Sequence, residues 1–433
     1  MWRARVARGR ERMARANGEP GLDCRPMTRP LSARMSRLGT ETAFEVLAKA
    51  RALEAQGRDI IHLEIGEPDF DTPPSVVHAG LSALQRGETH YTASAGIPEL
   101  REAIANHLNR TRRLAVDPGQ VIVTPGAKPI MFFAMLALLD AGDEAIYPDP
   151  GFPIYGSMIS FAGATGVPLK LREKNDFNPD LEELKTLVTD RTKLIILNSP
   201  ENPTGGVLSQ GMLKEIAQIA RARDLWVLAD EIYAEIMYEG THHSIVHEDG
   251  MAERTILLDG FSKTFAMTGW RLGYGVFPWP LVDPVTKLVT NSVSCTATFT
   301  QRAGAAALTN RPPEVAEMVK AFRERRDTVV TGLNKIDGIT CREPKGAFYV
   351  FPNITGLGLG DSATVQERIL REAGIATLSG TAFGAGGEGH LRLSYANSLK
   401  NLQAAVSRIG EWAHAARQGR VTAAAGSVTS ADR

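Results

Sequence analysis

The chain has 433 residues, 43% apolar and 23% charged: enough to bury a sizeable core, and too long for one core of ordinary size. Its 49 basic and 49 acidic residues give a formal net charge of +0, without the basic excess of a nucleic-acid binder. No apolar run reaches the roughly 18 residues of a membrane-spanning helix. The three cysteines, Cys24, Cys295 and Cys341, are far apart and lack C-x-x-C spacing. That argues against a disulfide framework or structural zinc and for a reducing, cytoplasmic setting.

The first thirty residues carry eight arginines, three acidic residues and no lysine. A transit peptide is one reading of such a start. A disordered arm, or an upstream start with Met27 or Met35 as the true one, is expected instead, because the stretch has little Ser and no sustained apolar face. At the other end "QGRVTAAAGSVTSADR" is small and polar and reads as a frayed tail.

Between them, "ETAFEVLAKARALEAQ" has helical apolar spacing, "IIHLEIGEPDFDTPP" is a strand followed by a Gly/Pro/Asp loop, and "PELREAIANHLNR" is a second helix. A regular alternation then begins. "VIVTPGAK", "EAIYPDPGF", "KLIILNSPENPTGG", "LWVLADEIYAE", "TILLDGFSK" and "RLGYGVFP" are strands. "PIMFFAMLALLD", "IYGSMISFAGA" and "MLKEIAQIARARD" are helices between them. Continuous apolar strands alternating with helices predict a mainly parallel sheet covered on both faces. From about residue 310 a long charged helix, then "GAFYVFPNI" and "HLRLSYAN" as strands, predict a smaller α+β domain completed by the N-terminal helix.

In such sheets ligands bind where loops leave the carboxyl ends of the strands, and the unusual polar residues cluster there. In "VTPGAKP", Gly126, Ala127 and Lys128 run into a helix whose free N–H groups suit an anion; a plain strand-to-helix turn is the alternative. Asn202 follows one apolar strand in a loop that Asn-Pro would favour anyway. Asp230 and Tyr233 follow another, and a carboxylate there must be paired, solvated or protonated. Lys263 follows "TILLDGFS", where partial desolvation favours the neutral, nucleophilic amine. Arg271 offers a planar fork to a phosphate. Arg392, between leucines in "HLRLSYAN", needs a partner such as a substrate carboxylate. Few chemistries need an anion cradle, a carboxylate, a phenol, a nucleophilic lysine and two arginines together.

With these motifs in order ("IGEPDFDTP", "HYTASAGIPELREAI", "VTPGAK", "NSPENPTG", "ADEIY", "GFSKTFAMTGWRLGY", "GAFYVF", "LRLSYA"), the chain from about 35 to 415 resembles the class I/II aminotransferases. These are fold type I pyridoxal-phosphate enzymes, and the resemblance is to the prokaryotic aspartate aminotransferase type. It implies an α/β fold: a mainly parallel seven-stranded sheet in a three-layer α/β/α large domain, plus a small α+β domain. The expected division is an extension over 1–34, an arm and part of the small domain over 35–70, the large domain over 71–308, the rest of the small domain over 309–417, and the tail from 418.

The resemblance implies Lys263 as Schiff-base lysine and general base, and Asp230 as partner of the pyridine nitrogen. It places Tyr233 and Asn202 on the ring oxygen, Phe152 on the ring face, and the Gly126–Ala127–Lys128 turn with Arg271 on the phosphate. It implies Arg392 at the substrate carboxylate, with Gly66, Phe152 and Asn202 beside it. Tyr91 matches a tyrosine that reaches the neighbouring subunit's phosphate, so a homodimer with shared sites is expected. The implied reaction is ping-pong transfer of an amino group from an L-α-amino acid to a 2-oxo acid, with 2-oxoglutarate or pyruvate expected.

The chain departs from the pattern at Gly260, where many relatives carry a phosphate-binding serine, and Ser262 is assigned the compensating role. Pro125 and Pro129 flank the phosphate turn. Alternatives are a pyridoxal-phosphate C–S lyase of the same fold and a ligand-sensing regulator, whose DNA-binding module the extension is too short to contain. Neither "GTAFGAGGEGH" nor "GLGLGD" has the strand, turn and helix order of a dinucleotide motif. His242 and His243 read as a solvated pair rather than a zinc site. Loops such as "GEPDFDTP" and "NSVSCTATFTQ" are expected to build the side-chain pocket. With no arginine before Arg302, the latter points to neutral or mixed substrates.

Overall fold

In the computed structural model, which describes residues 30–419, the apolar runs of the middle of the chain form one sheet. Its strands are β2 (Val121–Thr124), β3 (Glu144–Asp149), β4 (Thr165–Lys170), β5 (Thr192–Asn198), β6 (Trp226–Asp230), β7 (Thr255–Gly260) and β8 (Gly273–Val276). Their spatial order is β2-β8-β7-β6-β5-β3-β4. β8 alone runs antiparallel, to β2 and β7; the other neighbours are parallel.

Successive strand residues bury into different clusters, as the pleat requires. Ile122, Leu194, Ile196, Leu228 and Ile256 pack with Ile130, Met135, Tyr155 and Val285 on one face. On the other, Ile195, Val227 and Ala229 pack with Leu213, Ile216 and Ala220, and Val121, Val123 and Leu257 with Leu100, Ile104 and Ala303. Helices thus cover both faces of the sheet. The inner strands are buried along their length, so irregular backbone gathers at their ends.

Before the sheet come α1 (Ala43–Glu54), β1 (Ile61–His62), α2 (Pro74–Gln85) and α3 (Pro98–Thr111). Between its strands lie α4 (Lys128–Leu138), α5 (Ile154–Ala162), α6 (Leu181–Leu187) and α7 (Gln210–Ala222). After it come α8 (Trp279–Ser292), α9 (Thr298–Thr309), α10 (Glu314–Leu333), β9 (Tyr349–Val350), α11 (Ser362–Arg368), β10 (Ile375–Ala376), β11 (Leu378–Ser379), β12 (Leu391–Ser394) and α12 (Leu399–Arg417). β11, β12 and β9 form a second, antiparallel sheet, and β1 pairs parallel with β10. Val46 and Ala50 of α1 bury against Leu370, Ala376, Leu378 and Phe383, so the N-terminal helix does pack on the C-terminal segment.

Register then decides which polar residues meet. Asn198 stands opposite Asp230, and Asp230 opposite Leu258; Thr124 and Gly260 both stand opposite Gly273. The strand ends that carry the candidate residues are therefore neighbours across the sheet. Gly273 has no room for a side chain, since a Cβ there would fall 2.4 Å from the Ala127 nitrogen. The turn into α4 folds directly over β8.

Several expectations need correction. The apolar stretch at 60–65 yields a strand of only Ile61–His62, because it pairs with the equally short β10. α2, α6, α8, α9, α11, α12, β4, β10 and β11 had no counterpart in the sequence reading; α8 holds Pro284 in its interior, and β4 is an edge strand with only Leu169 buried. His242 is not solvated: its side chain is 6% exposed, with Nε2 2.9 Å from Glu231 Oε2. That contact is a close approach rather than an aligned hydrogen bond, and Glu231 is itself buried beside Asp230. Cys295 and Cys341 are both free. Among the described residues no helix is long and apolar enough to cross a membrane. Residues 1–29 and 420–433, which hold Cys24 and most of the proposed extension and tail, lie outside the described residues.

Candidate active site

A cavity of about 480 Å³ opens over the carboxyl ends of the strands. Lys263, Asp230, Tyr233, Asn202, Arg271, Arg392, Ser262, Phe152, Ala127, Lys128 and Gly66 all line it. Of the residues singled out from the sequence, Gly126 and Tyr91 do not. Gly126 lies behind Arg271, where a Cβ would fall 2.1 Å from Nη2, and its φ of 86° is one that glycine adopts readily. Tyr91 is 88% exposed.

Lys263 sits on the turn after β7. Its amine donates to the Gly66 carbonyl at 2.5 Å and has no carboxylate partner among the described residues. Burial, only partly offset by the charge of Glu67, lowers its pKa to about 8. Desolvation penalises the ammonium form and leaves a larger share of neutral, nucleophilic amine.

Asp230 ends β6 and is 4% exposed. Burial raises its pKa to about 6, but the Tyr155 hydroxyl donates to Oδ2 at 2.6 Å and the Ile232 N–H to Oδ1 at 3.2 Å, both favouring the carboxylate. Asn202 is held by its own N–H, which donates to Asn198 Oδ1 at 2.9 Å. Asn198 in turn donates its amide to the Asp230 carbonyl at 3.0 Å. The "NSPEN" loop and the end of β6 are thereby one hydrogen-bonded unit.

The phosphate-type end has two components. α4 begins at Lys128 with Ala127 as its N-cap, so the first N–H groups of the helix have no helical partner, and Ala127 and Lys128 line the cavity. Arg271 stands beside them and donates to the Thr268 carbonyl at 2.8 Å. Its φ of 55° is left-handed, a conformation that costs a non-glycine residue on the order of 1 kcal/mol and is typical of functional turns. A Cβ at Gly260 would meet the backbone of Gly273 at 3.1 Å and of Leu272 at 3.2 Å. A side chain has little room there, whereas Ser262 lines the cavity.

The second arginine of the cavity, Arg392, is 4% exposed. Its Nη2 donates to the Glu64 carbonyl and its Nη1 to Asn202 Oδ1 at 3.4 Å, while buried Nε has no partner. The guanidinium lies 4.6 Å from the Tyr349 ring centroid and 5.1 Å from that of Phe383. No carboxylate pairs with it among the described residues, so it stands ready for one from a ligand.

The walls come only in part from the expected segments: Gly66 and Glu67 of "GEPDFDTP" line the cavity. Glu41 to Phe44 before and in α1, with Ile65, Leu378, Ala382 and Phe383, line the cavity, and no residue of "NSVSCTATFTQ" does. That stretch ends α8 and starts α9, and Thr296, Ala297, Phe299 and Thr300 line a separate cavity of about 620 Å³ beside Arg271. Arg302 pairs with Glu88 and Glu99 instead. Lys128 pairs with Glu41 and lies 5.4 Å from the Phe152 ring centroid.

The sequence reading missed Tyr155, Tyr349 and a buried ionic cluster behind the site. Arg112, 7% exposed, binds Glu231 at 2.6 Å and also Asp259. Burial works against ionisation of Glu231, yet His242 and Arg112 hold its pKa down to about 2. At Asp259 burial prevails over the same arginine, and its pKa stays above the ordinary value. No local signal marks Arg112, which reads in "NRTRRLAV" as one of several basic residues after a helix.

Comparison with known proteins identifies the family. Residues 58–409 match the family model described as aminotransferase class I and II. Aspartate aminotransferase of Musicola paradisiaca is 41% identical over 88% of this chain and 96% of its own. The aspartate/prephenate aminotransferase of Thermus thermophilus is 40% identical over 88% and 98%. A solved structure of Thermus thermophilus aspartate aminotransferase with maleate superposes with a TM-score of 0.85 at 39% identity, covering 89% of this chain and all of that one. Relatives named as aminotransferases do not favour the lyase reading. The chain belongs to the class I and II aminotransferases, pyridoxal-phosphate enzymes of fold type I.

Proposed function

We propose that the cavity residues divide the work of amino transfer between holding the cofactor and reading the substrate. The observation that carries this is the convergence in one cavity of Lys263, without a carboxylate partner among the described residues, Asp230, and two arginines with different neighbours, Arg271 and Arg392. The donor set fits pyridoxal phosphate: a half-buried amine, an anion cradle at a helix start, and Arg271 lining the same cavity.

Lys263 would bond the cofactor's aldehyde. Asp230 would pair with the pyridinium nitrogen, Tyr233 and Asn202 with the ring oxygen, and Phe152 would cover the ring face. The Gly126–Ala127–Lys128 turn, Ser262 and Arg271 would take the phosphate. When bound, the cofactor supplies an electron-withdrawing ring that stabilises negative charge at the substrate's α-carbon. Arg392 binds the substrate carboxylate, with Gly66 and Asn202 beside it. Released when the substrate's own amine takes its place on the cofactor, Lys263 Nζ would accept the α-proton, a task suited to an amine whose burial favours its neutral form.

The donor is an L-α-amino acid and the acceptor a 2-oxo acid, for which 2-oxoglutarate or pyruvate is our assignment. Tyr91, 88% exposed, would serve the phosphate site of a second copy in a homodimer with shared sites. We also assign the chain a large domain over 71–308, a small domain formed by 35–70 with 309–417, and a cytoplasmic setting. Lys263→Ala tests the core of this reading. The variant is expected to lose both the cofactor's Schiff-base absorbance band and turnover, and full activity would overturn the assignment.

A further inference from the structure

We propose that Tyr349 is a positioning residue that couples the cofactor side of the site to its carboxylate side, its hydroxyl holding Tyr233 and its ring carrying Arg392. Three separate observations place it there. The Tyr349 and Tyr233 hydroxyls are 2.7 Å apart. The Arg392 guanidinium lies 4.6 Å from the Tyr349 ring centroid. A Cβ at Gly66 would fall 2.2 Å from the Tyr349 hydroxyl, so Gly66 is what admits that hydroxyl between the two sides.

The frame around the residue is stiff. Tyr349 lies in β9 opposite Ser394 of β12 and is 1% exposed. Tyr233 packs edge-on to both Tyr349, at 5.7 Å, and Phe348, at 5.4 Å. Arg392 lies two residues before Ser394 on the same strand, so one pair of strands sets the geometry of both contacts.

The direction of the hydrogen bond follows from this chain's assigned roles. The inference rests on Tyr233 donating to the cofactor's ring oxygen. Having spent its one proton there, Tyr233 must accept from Tyr349. An oxygen that accepts a hydrogen bond donates a stronger one. Burial keeps both phenols protonated, Tyr233 well above the ordinary tyrosine value and Tyr349 also raised. The charged groups that bear on the pair are Arg392 with Asp230 at Tyr233, and Arg392 with Glu41 at Tyr349. A strong donor at the ring oxygen would draw off negative charge that otherwise helps hold a proton on Lys263 Nζ. Weakening that donor raises the nitrogen's proton affinity.

The test uses holoenzyme. In Tyr349→Phe the ring stays under Arg392 and only the hydroxyl is lost. The pH midpoint of the Lys263-dependent absorbance band should rise, by a roughly threefold to tenfold gain in proton affinity, as expected for one lost hydrogen bond. In Tyr349→Leu the ring is lost too, and the KM for an amino donor such as L-aspartate should rise further, several-fold above that of Tyr349→Phe. A midpoint unmoved in Tyr349→Phe overturns the proposal, as does a donor KM equal in the two variants. Should Tyr349→Leu fail to fold, the midpoint in Tyr349→Phe still decides. Tyr233→Phe separates the underlying reading: if it leaves the midpoint unchanged, the role given to Tyr233 is wrong.

Discussion

Replacing Lys263 by methionine should make the cofactor-free protein more stable, and by an amount that depends on pH. The amine is shifted from 10.5 to about 8, chiefly because burial disfavours its charge. At pH 7 the lysine is protonated whether folded or unfolded, so the shift represents a cost of up to ~3 kcal/mol carried by the folded state. Because the folded pKa lies below the unfolded one, that cost is fully present below about pH 8 and is relieved as pH rises toward 10.5. Methionine of similar length has no charge to bury. Urea unfolding of cofactor-free wild type and Lys263→Met should show a gap of ~3 kcal/mol at pH 7 that narrows to under ~1 kcal/mol at pH 10. Other titrating groups are common to both proteins and cancel, while any packing gain from methionine adds a constant. A gap of the same size at both pH values would refute the argument that charge burial tunes this lysine. The same cost has a functional counterpart. At pH 7.5 roughly a quarter of such amines are neutral, against about one in a thousand for a free lysine.

Two other predictions concern residues with less obvious roles. Arg112→Leu leaves Glu231 and Asp259 buried without their cation. Unfolding measurements at pH 7 should show a loss of about 3–5 kcal/mol, the range for breaking a buried ion pair. Glu231, held at about 2, gives its share of that stability above its ordinary pKa of 4.5 and loses it as pH falls toward 2, so the difference between the proteins should shrink in acid. Glu41→Ala frees Lys128 at the cavity mouth. A half-exposed pair of this kind is worth up to about 1 kcal/mol, so kcat/KM for acidic donors such as L-aspartate should rise by up to roughly fivefold. Neutral donors should be unaffected, and an equal rise for both would refute the specific role of Lys128.

What the sequence made legible was everything with a local signature. Continuous apolar strands such as "LIILN" and "VLAD" can only be buried on both faces, which implies a helix-covered parallel sheet. Polar residues at the carboxyl ends of those strands, Asp230 and Lys263 above all, were readable as site residues because the sheet brings such ends together. Partners distant in sequence were not legible. Tyr155 reaches Asp230 across 75 positions and Lys128 reaches Glu41 across 87. Tyr349 reaches Tyr233 across 116.

The same limit explains the errors. "NSVSCTATFTQ" looked like a pocket loop because it is polar and lacks an apolar period, yet it divides between the end of α8 and the start of α9. His242 looked solvated because its neighbours in sequence are polar; its neighbour in space is a buried carboxylate. Amino-acid order alone thus determined the layers of the fold, the strand-end residues and the cofactor chemistry, since these follow from periodicity and from side-chain type at a given position. Tertiary structure decided which groups pair, how far Lys263 and Asp230 are desolvated, and which walls face the substrate. Those quantities depend on distance and burial, which residues far apart in the chain acquire only once strand register has brought them together.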